Sequence, residues 1–116
     1  RREEMQRFRS RLQGEGFDVL SRWLDERAVG FTDREAADLD LDDISDCDVF
    51  VTFTEATREY FSGGRHVELG FAIGLGLKTY VVGHTENVFH SAPGVERLPH
   101  RDALIEALHA RVAALA

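Results

Sequence analysis

Two short runs constrain this chain more than anything else in it: "DVFVTF", Asp48 to Phe53, and "KTYVVG", Lys78 to Gly83. Both are rich in β-branched and aromatic residues, and neither alternates cleanly between apolar and polar. That is the pattern of strands covered on both faces of a sheet. Between them lies an apolar, glycine-rich stretch that predicts a helix from about His66 to Leu75. A helix joining two doubly covered strands is the crossover of a parallel pair, because parallel strands need a long connection. The first run is expected at the centre of the sheet, and the fold class is a parallel α/β sandwich.

The flanking segments extend this pattern. Met5, Phe8 and Leu12 recur at helical spacing between Arg2 and Gln13, and Gly14 with Gly16 ends that helix. "FDVLSRWL", Phe17 to Leu24, reads as a short apolar strand followed by a polar loop through Gly30. Thr32 and Glu35 have the spacing of a capping box, opening a helix on which Ala37, Leu41 and Ile44 share a face. "HTENVFHSAPGVERLPHR" is a long connection with a short strand near Val95 to Leu98. A closing helix, capped by Asp102, carries Leu104, Ile105, Leu108, Val112 and Leu115 as its stripe. The order is helix, strand, helix, strand, helix, strand, loop, helix. It predicts a three-layer α/β sandwich with a flavodoxin- or Rossmann-like sheet, in which ligands bind at the carboxyl ends of the strands.

Composition narrows the function classes. The 116 residues suit one domain with one core. A net charge of −7 argues against nucleic-acid and membrane-surface binding, both of which need a basic footprint. The lone Cys47 excludes a disulfide within the chain and suits a reducing compartment. No apolar run has the length of a membrane span and no signal peptide is visible, so the cytoplasm is the expected location. The chain opens directly in a helix without a Met, and residues ahead of Arg1 are expected.

The chemistry concentrates in "SGGRHVELG", Ser62 to Gly70. A helix starting near Arg65 puts Glu68 in its first turn, where free N–H groups and the macrodipole favour an ionised carboxylate. An ordinary glutamate near a helix N-terminus fits the same pattern. Its company points further. Gly63 and Gly64 let backbone amides approach a ligand, while Gly70, Gly74 and Gly76 suggest tight packing at a cost of roughly 1 kcal/mol each in helix propensity. Arg65, His66, His84 and His90 could contact a phosphate or a base, or be surface residues. Trp23 could stack on a base or fill the core, and Glu55, at the end of the first run, could be a second carboxylate or a loop residue. His66-Val67-Glu68 matches half of a zinc-deaminase signature whose cysteine half is missing. "DLDLDDISD" lacks the glycine and glutamate of a calcium loop, and Gly74-Leu-Gly76 ends a helix where a dinucleotide fingerprint would begin one. No metal or cofactor site follows.

"SGGRHVELGFAIGLGLKTYVVG" followed by "ENVF" resembles the nucleoside 2-deoxyribosyltransferase family, particularly its short phage and actinobacterial members, and more loosely the related nucleotide N-glycosidases. The resemblance covers Asp48 to Phe89, and Gly64, Glu68, Leu69, Gly70 and Ala72 fill its G-x-x-x-E-L-G-x-A core. It implies a strand ahead of the first helix, where residues before Arg1 are expected. It also implies that Glu68 attacks the anomeric carbon of a nucleoside sugar to form a glycosyl-enzyme ester. An asparagine from a neighbouring subunit is expected to reach into the site, with Asn87 in the matching position, and the protein is expected to be a dimer or larger. The family's aspartate shortly before the motif glycine is replaced here by Ser62, with Glu55 and Glu59 as substitutes.

Together these readings predict cleavage or transfer of the N-glycosidic bond of a (deoxy)nucleoside or its 5′-monophosphate. Glu68 would be the nucleophile, Gly63, Gly64, Arg65 and His66 the sugar or phosphate side, and Trp23 the base side, with Glu55, Ser62 and Asn87 as further substrate-binding residues. The partner is then a small molecule, neither nucleic acid nor membrane. A non-catalytic nucleotide-binding or regulatory module using the same rim is the alternative, and a scaffold domain a third.

Overall fold

The computed structural model describes residues 2–21, 31–55 and 64–115. The chain divides into two compact units, Arg1–Cys47 and Asp48–Ala116.

The first unit carries two helices. Helix α1, Arg2–Gly14, buries Met5 and Phe8. It closes through Gly16 N–H to the Gln13 carbonyl and Phe17 N–H to the Leu12 carbonyl, both at 3.0 Å. The predicted strand at Phe17 does not form over Phe17 to Ser21, where half-buried and exposed residues alternate without ladder pairing; Arg22 to Leu24 lie outside the described residues. Helix α2, Asp33–Asp46, has the expected capping box. Thr32 Oγ1 accepts from Glu35 N–H at 3.2 Å, and Glu35 Oε1 accepts from Thr32 N–H at 3.2 Å. The Thr32 hydroxyl also donates to Glu35 Oε1 at 2.8 Å, and these bonds hold the Glu35 carboxyl below its ordinary pKa. Ile44 is buried, Leu41 half-buried and Ala37 exposed.

The second unit is an α/β fold of flavodoxin or Rossmann type. Strands β1 (Val49–Phe53), β2 (Lys78–Val82) and β3 (Val95–Leu98) form a parallel sheet in the order β1-β2-β3, with helices α3 (Gly64–Gly74) and α4 (Arg101–Leu115) and a 3₁₀ turn at Val88–Ser91. Val49 to Phe53 stand opposite Lys78 to Val82, and Thr79 to Val82 opposite Val95 to Leu98. Helix α3 packs on β1 and β2, and α4 on β2 and β3.

Among the described strands the central one is β2, where β1 was expected. Thr79 to Val82 are all buried, so both faces of β2 are covered, whereas β1 buries only Thr52. An apolar run without alternation signals hydrophobic faces but does not encode how many neighbours a strand has.

The glycines of α3 also act differently from expectation. Beyond the neighbouring backbone of their own helix, no described atom lies within 4 Å of where a side chain at Gly70 or Gly74 would begin, so neither packs tightly against another described element. Gly76, at φ +73°, ends the helix: its N–H reaches the Ile73 carbonyl at 3.0 Å and Leu77 N–H the Ala72 carbonyl at 3.1 Å. Only a residue tolerant of the left-handed region makes that turn cheaply.

Helix α4 is capped by His100 rather than Asp102, which lies inside its first turn; His100 Nδ1 accepts from Ala103 N–H at 3.1 Å. Its apolar stripe is buried at Leu104 and Ile105 and exposed at Val112 and Leu115. Fifteen helical residues span about 22 Å and a five-residue strand about 16 Å, so the last turns of α4 outrun the sheet. Among the described residues no helix is long and apolar enough to cross a membrane.

Candidate functional site

The carboxyl ends of β1 and β2 are sewn together before any functional side chain is added. Thr54 N–H donates to the Val82 carbonyl at 2.8 Å, and the buried Thr54 hydroxyl donates to the His84 carbonyl at 2.5 Å. Gly83 N–H continues the seam to the Leu98 carbonyl of β3 at 2.9 Å. Gly83 sits at φ +126°, and a Cβ there would fall 2.5 Å from Thr54 Oγ1 and 2.7 Å from Glu55 N. Only glycine lets the two strand ends approach this closely.

Two arginines cross this seam, and each is closed by a glutamate. Arg65, at the start of α3, donates from Nη1 to the Phe53 carbonyl at 3.1 Å and from Nη2 to Glu86 Oε1 at 2.7 Å, its side chain only 11% exposed. Arg101, at the start of α4, places Nε and Nη2 each 2.6 Å from Glu55 Oε1, with its guanidinium carbon 5.7 Å from the Phe53 ring centroid. Glu55 therefore ties β1 to α4, and Arg65 ties α3 to both the end of β1 and the loop after β2.

That loop is itself held from beneath. Glu86 N–H donates to His90 Nδ1 at 2.9 Å, so the neutral imidazole carries its proton on Nε2. His90 is 2% exposed, and its Nε2 has no hydrogen-bond partner among the described residues. Burial is the main cause that pushes the His90 pKa below its ordinary value. Glu86 opposes that shift, while His66, Arg65 and His84 reinforce it. Asn87 Oδ1 accepts from Phe89 N–H at 2.9 Å and caps the 3₁₀ turn. This turns Asn87 Nδ2 toward His66 Nδ1, a long contact at 3.4 Å. His84 Nε2 stands 4.0 Å from Glu86 Oε2.

Glu68 is half-buried, and its helical spacing from Arg65 and Ala72 sets it next to the face of α3 on which Leu69 and Ala72 are buried. The described part of α3 begins at Gly64, and Glu68 stands just beyond its first four residues, where the first turn was expected to hold it. Of the other predicted site residues, Gly64, Arg65, His66, Glu55 and Asn87 gather at the carboxyl ends of β1 and β2. Trp23, Ser62 and Gly63, like Glu59, lie outside the described residues.

Glu86, Arg101, Thr54 and Gly83 were not among the predicted site residues. Glu86 stands beside Asn87 in "ENVF", but nothing local marks it as the partner of Arg65, and Arg101 is 46 residues from Glu55. Among the described residues no three histidine, cysteine or acidic side chains converge as a metal site. Comparison of the chain with protein-family models finds no match, and comparison with curated proteins finds none either.

Proposed function

We propose that this protein cleaves or transfers the N-glycosidic bond of a (deoxy)nucleoside or its 5′-monophosphate, as the resemblance to nucleoside 2-deoxyribosyltransferases implies. The observation that supports the reading is that Glu68 is half-buried on α3 three residues after Arg65, whose guanidinium reaches the carboxyl end of β1 at the Phe53 carbonyl. Glu68 would attack the anomeric carbon. The bond from that carbon to the base nitrogen breaks, its electron pair leaves with the base, which takes up a proton, and a glycosyl ester forms on the carboxylate. Water or a second base then displaces the carboxylate, so one difficult step becomes two easier ones. Gly64, Arg65, His66 and Asn87 border the sugar side in this reading. The side of α3 that carries Val67, Gly70 and Gly74 is exposed, and there a second copy of the chain would sit.

The test is incubation with deoxynucleosides, ribonucleosides and their monophosphates, with and without a second free base, followed by chromatography. Base exchange identifies a transferase and release of free base a hydrolase. In both cases Glu68→Ala should remove turnover while leaving the melting temperature close to that of the parent. Turnover retained by Glu68→Ala refutes the assigned nucleophile. If every substrate survives while nucleotides still raise the melting temperature, the protein is a binding module.

A further inference from the structure

We infer that His90 is a pH-sensitive latch: neutral, it holds the loop after β2 to α3 and to the end of β1, and protonated, it releases that loop. The latch goes beyond the glycosidic reading and works whether or not that reading holds. The hold runs through groups in series. His90 Nδ1 accepts from Glu86 N–H at 2.9 Å. Glu86 Oε1 takes Arg65 Nη2 at 2.7 Å, and Arg65 Nη1 donates to the Phe53 carbonyl at 3.1 Å. The first link lasts only while Nδ1 keeps its lone pair, because an imidazolium is a donor at both nitrogens. A proton added at Nδ1 sets two N–H groups against each other. Turning the ring over does not restore the bond, since both nitrogens then carry a proton.

The described surroundings do little to stabilise a charged ring. His90 is 2% exposed, and its Nε2 has no hydrogen-bond partner among the described residues. From α3 it faces Arg65 and His66, the latter with its ring centroid 6.3 Å away, and from its own loop His84 and Glu86. Of these four only Glu86 favours an imidazolium, and its carboxylate is already turned to Arg65. Strand β3 packs on the 3₁₀ turn, and its charged side chains, Glu96 and Arg97, are exposed. The closed loop therefore holds the ring neutral, with its pKa below the ordinary 6.5, burial being the main cause. An opened loop returns the ring to water and to its ordinary pKa, so the open state binds the proton more tightly. Acid then favours opening, by up to about tenfold in population for each pH unit below 6.5, until the lower closed-state value is reached.

The test is amide hydrogen exchange of the full chain, read by NMR at about pH 7.5 and about pH 5 and corrected for the intrinsic pH dependence of exchange. In the parent, protection of the Glu86 amide should fall by at least about threefold more than that of the β2 amides. The ring nitrogens of His90 are followed in the same samples: Nδ1 should be the unprotonated one at the higher pH and gain its proton as Glu86 loses protection. His90→Asn, which offers Glu86 N–H an oxygen that does not titrate, should keep that amide protected at both pH values. Equal protection of Glu86 at the two pH values overturns the latch, as does a fall shared equally by the β2 amides, which is global destabilisation. A pH response that His90→Asn retains also overturns it and assigns the response to another group. Should His90→Asn fold poorly, the parent's ring titration decides: a proton gained without loss of Glu86 protection, or that loss without the proton, overturns the latch.

Discussion

The seam between β1 and β2 can be tested with one methyl group. Gly83→Ala puts a Cβ at φ +126° against Thr54 Oγ1 at 2.5 Å, Glu55 N at 2.7 Å and the Thr54 carbonyl carbon at 2.8 Å. Two of those three atoms are backbone, so no rotamer change relieves the contact. The strained φ costs of order 1–3 kcal/mol and overpacking about as much again. A loss of about 3–4 kcal/mol is therefore expected. At this chain length 1 kcal/mol moves the midpoint by roughly 4 °C, so the melting temperature should fall by about 12–16 °C. Gly14→Ala in α1 is the matched control, the same methyl group added where nothing described beyond the neighbouring backbone of its own helix lies within 4 Å. It should stabilise by about 0.5–1 kcal/mol, because alanine is the better helix former. Far-UV circular dichroism melts of both variants beside the parent give the answer. A Gly83→Ala melt within about 3 °C of the parent would refute the close approach of the two strand ends.

Three further outcomes follow from particular contacts. Arg101→Met removes the partly shielded pair with Glu55 and the cation over Phe53; urea unfolding should show a loss of about 1 kcal/mol that shrinks in high salt. His90 is held below its ordinary pKa of 6.5, so the unfolded chain binds the extra proton first. Its contribution to stability is complete above 6.5 and is lost as pH falls through the lower folded value. His90→Asn, which offers Glu86 N–H an oxygen that does not titrate, should show a shallower fall in stability between neutral and mildly acidic pH than the parent. Thr32→Ala removes the side-chain half of the α2 capping box, leaving the backbone N–H of residue 32 to Glu35, and should cost about 1 kcal/mol by the same unfolding assay.

The elements most legible in the sequence were those whose signal is local. The capping box is complete within four residues, and "KTYVVG" and the strand near Val95 announce themselves by composition. Where the reading failed, the missing information was long-range. Phe17 to Ser21 has the composition of a strand but no ladder, and "DVFVTF" has that of a central strand but lies at the edge of the described sheet. Asp102 suits an N-cap, yet His100, two residues earlier, fills that role with its ring nitrogen. Gly70 and Gly74 looked like packing glycines because a helix carrying them gives up stability, but composition cannot say what, if anything, they face.

The same distinction explains why the predicted residues come together while their partners could not be foreseen. Gly64, Arg65, His66 and Glu68 arrive as a group because one helix turn carries them. Glu55 and Asn87 join them because parallel strands deliver their following loops to the same edge. The pairing of charges at that edge is a product of tertiary closure. Arg65 reaches back 12 residues to Phe53 and forward to Glu86, and Arg101 reaches back 46 residues to Glu55. In one dimension these glutamates read as loop residues and these arginines as available cations. Folding turns them into counter-charges, so an anion site argued from Arg65 alone overstates the positive charge a ligand would meet. The Gly83 seam sets that balance: it joins the strand ends that present Glu55 and Phe53 on one side and lead into Glu86 on the other, so rim electrostatics depend on a backbone contact that carries no charge.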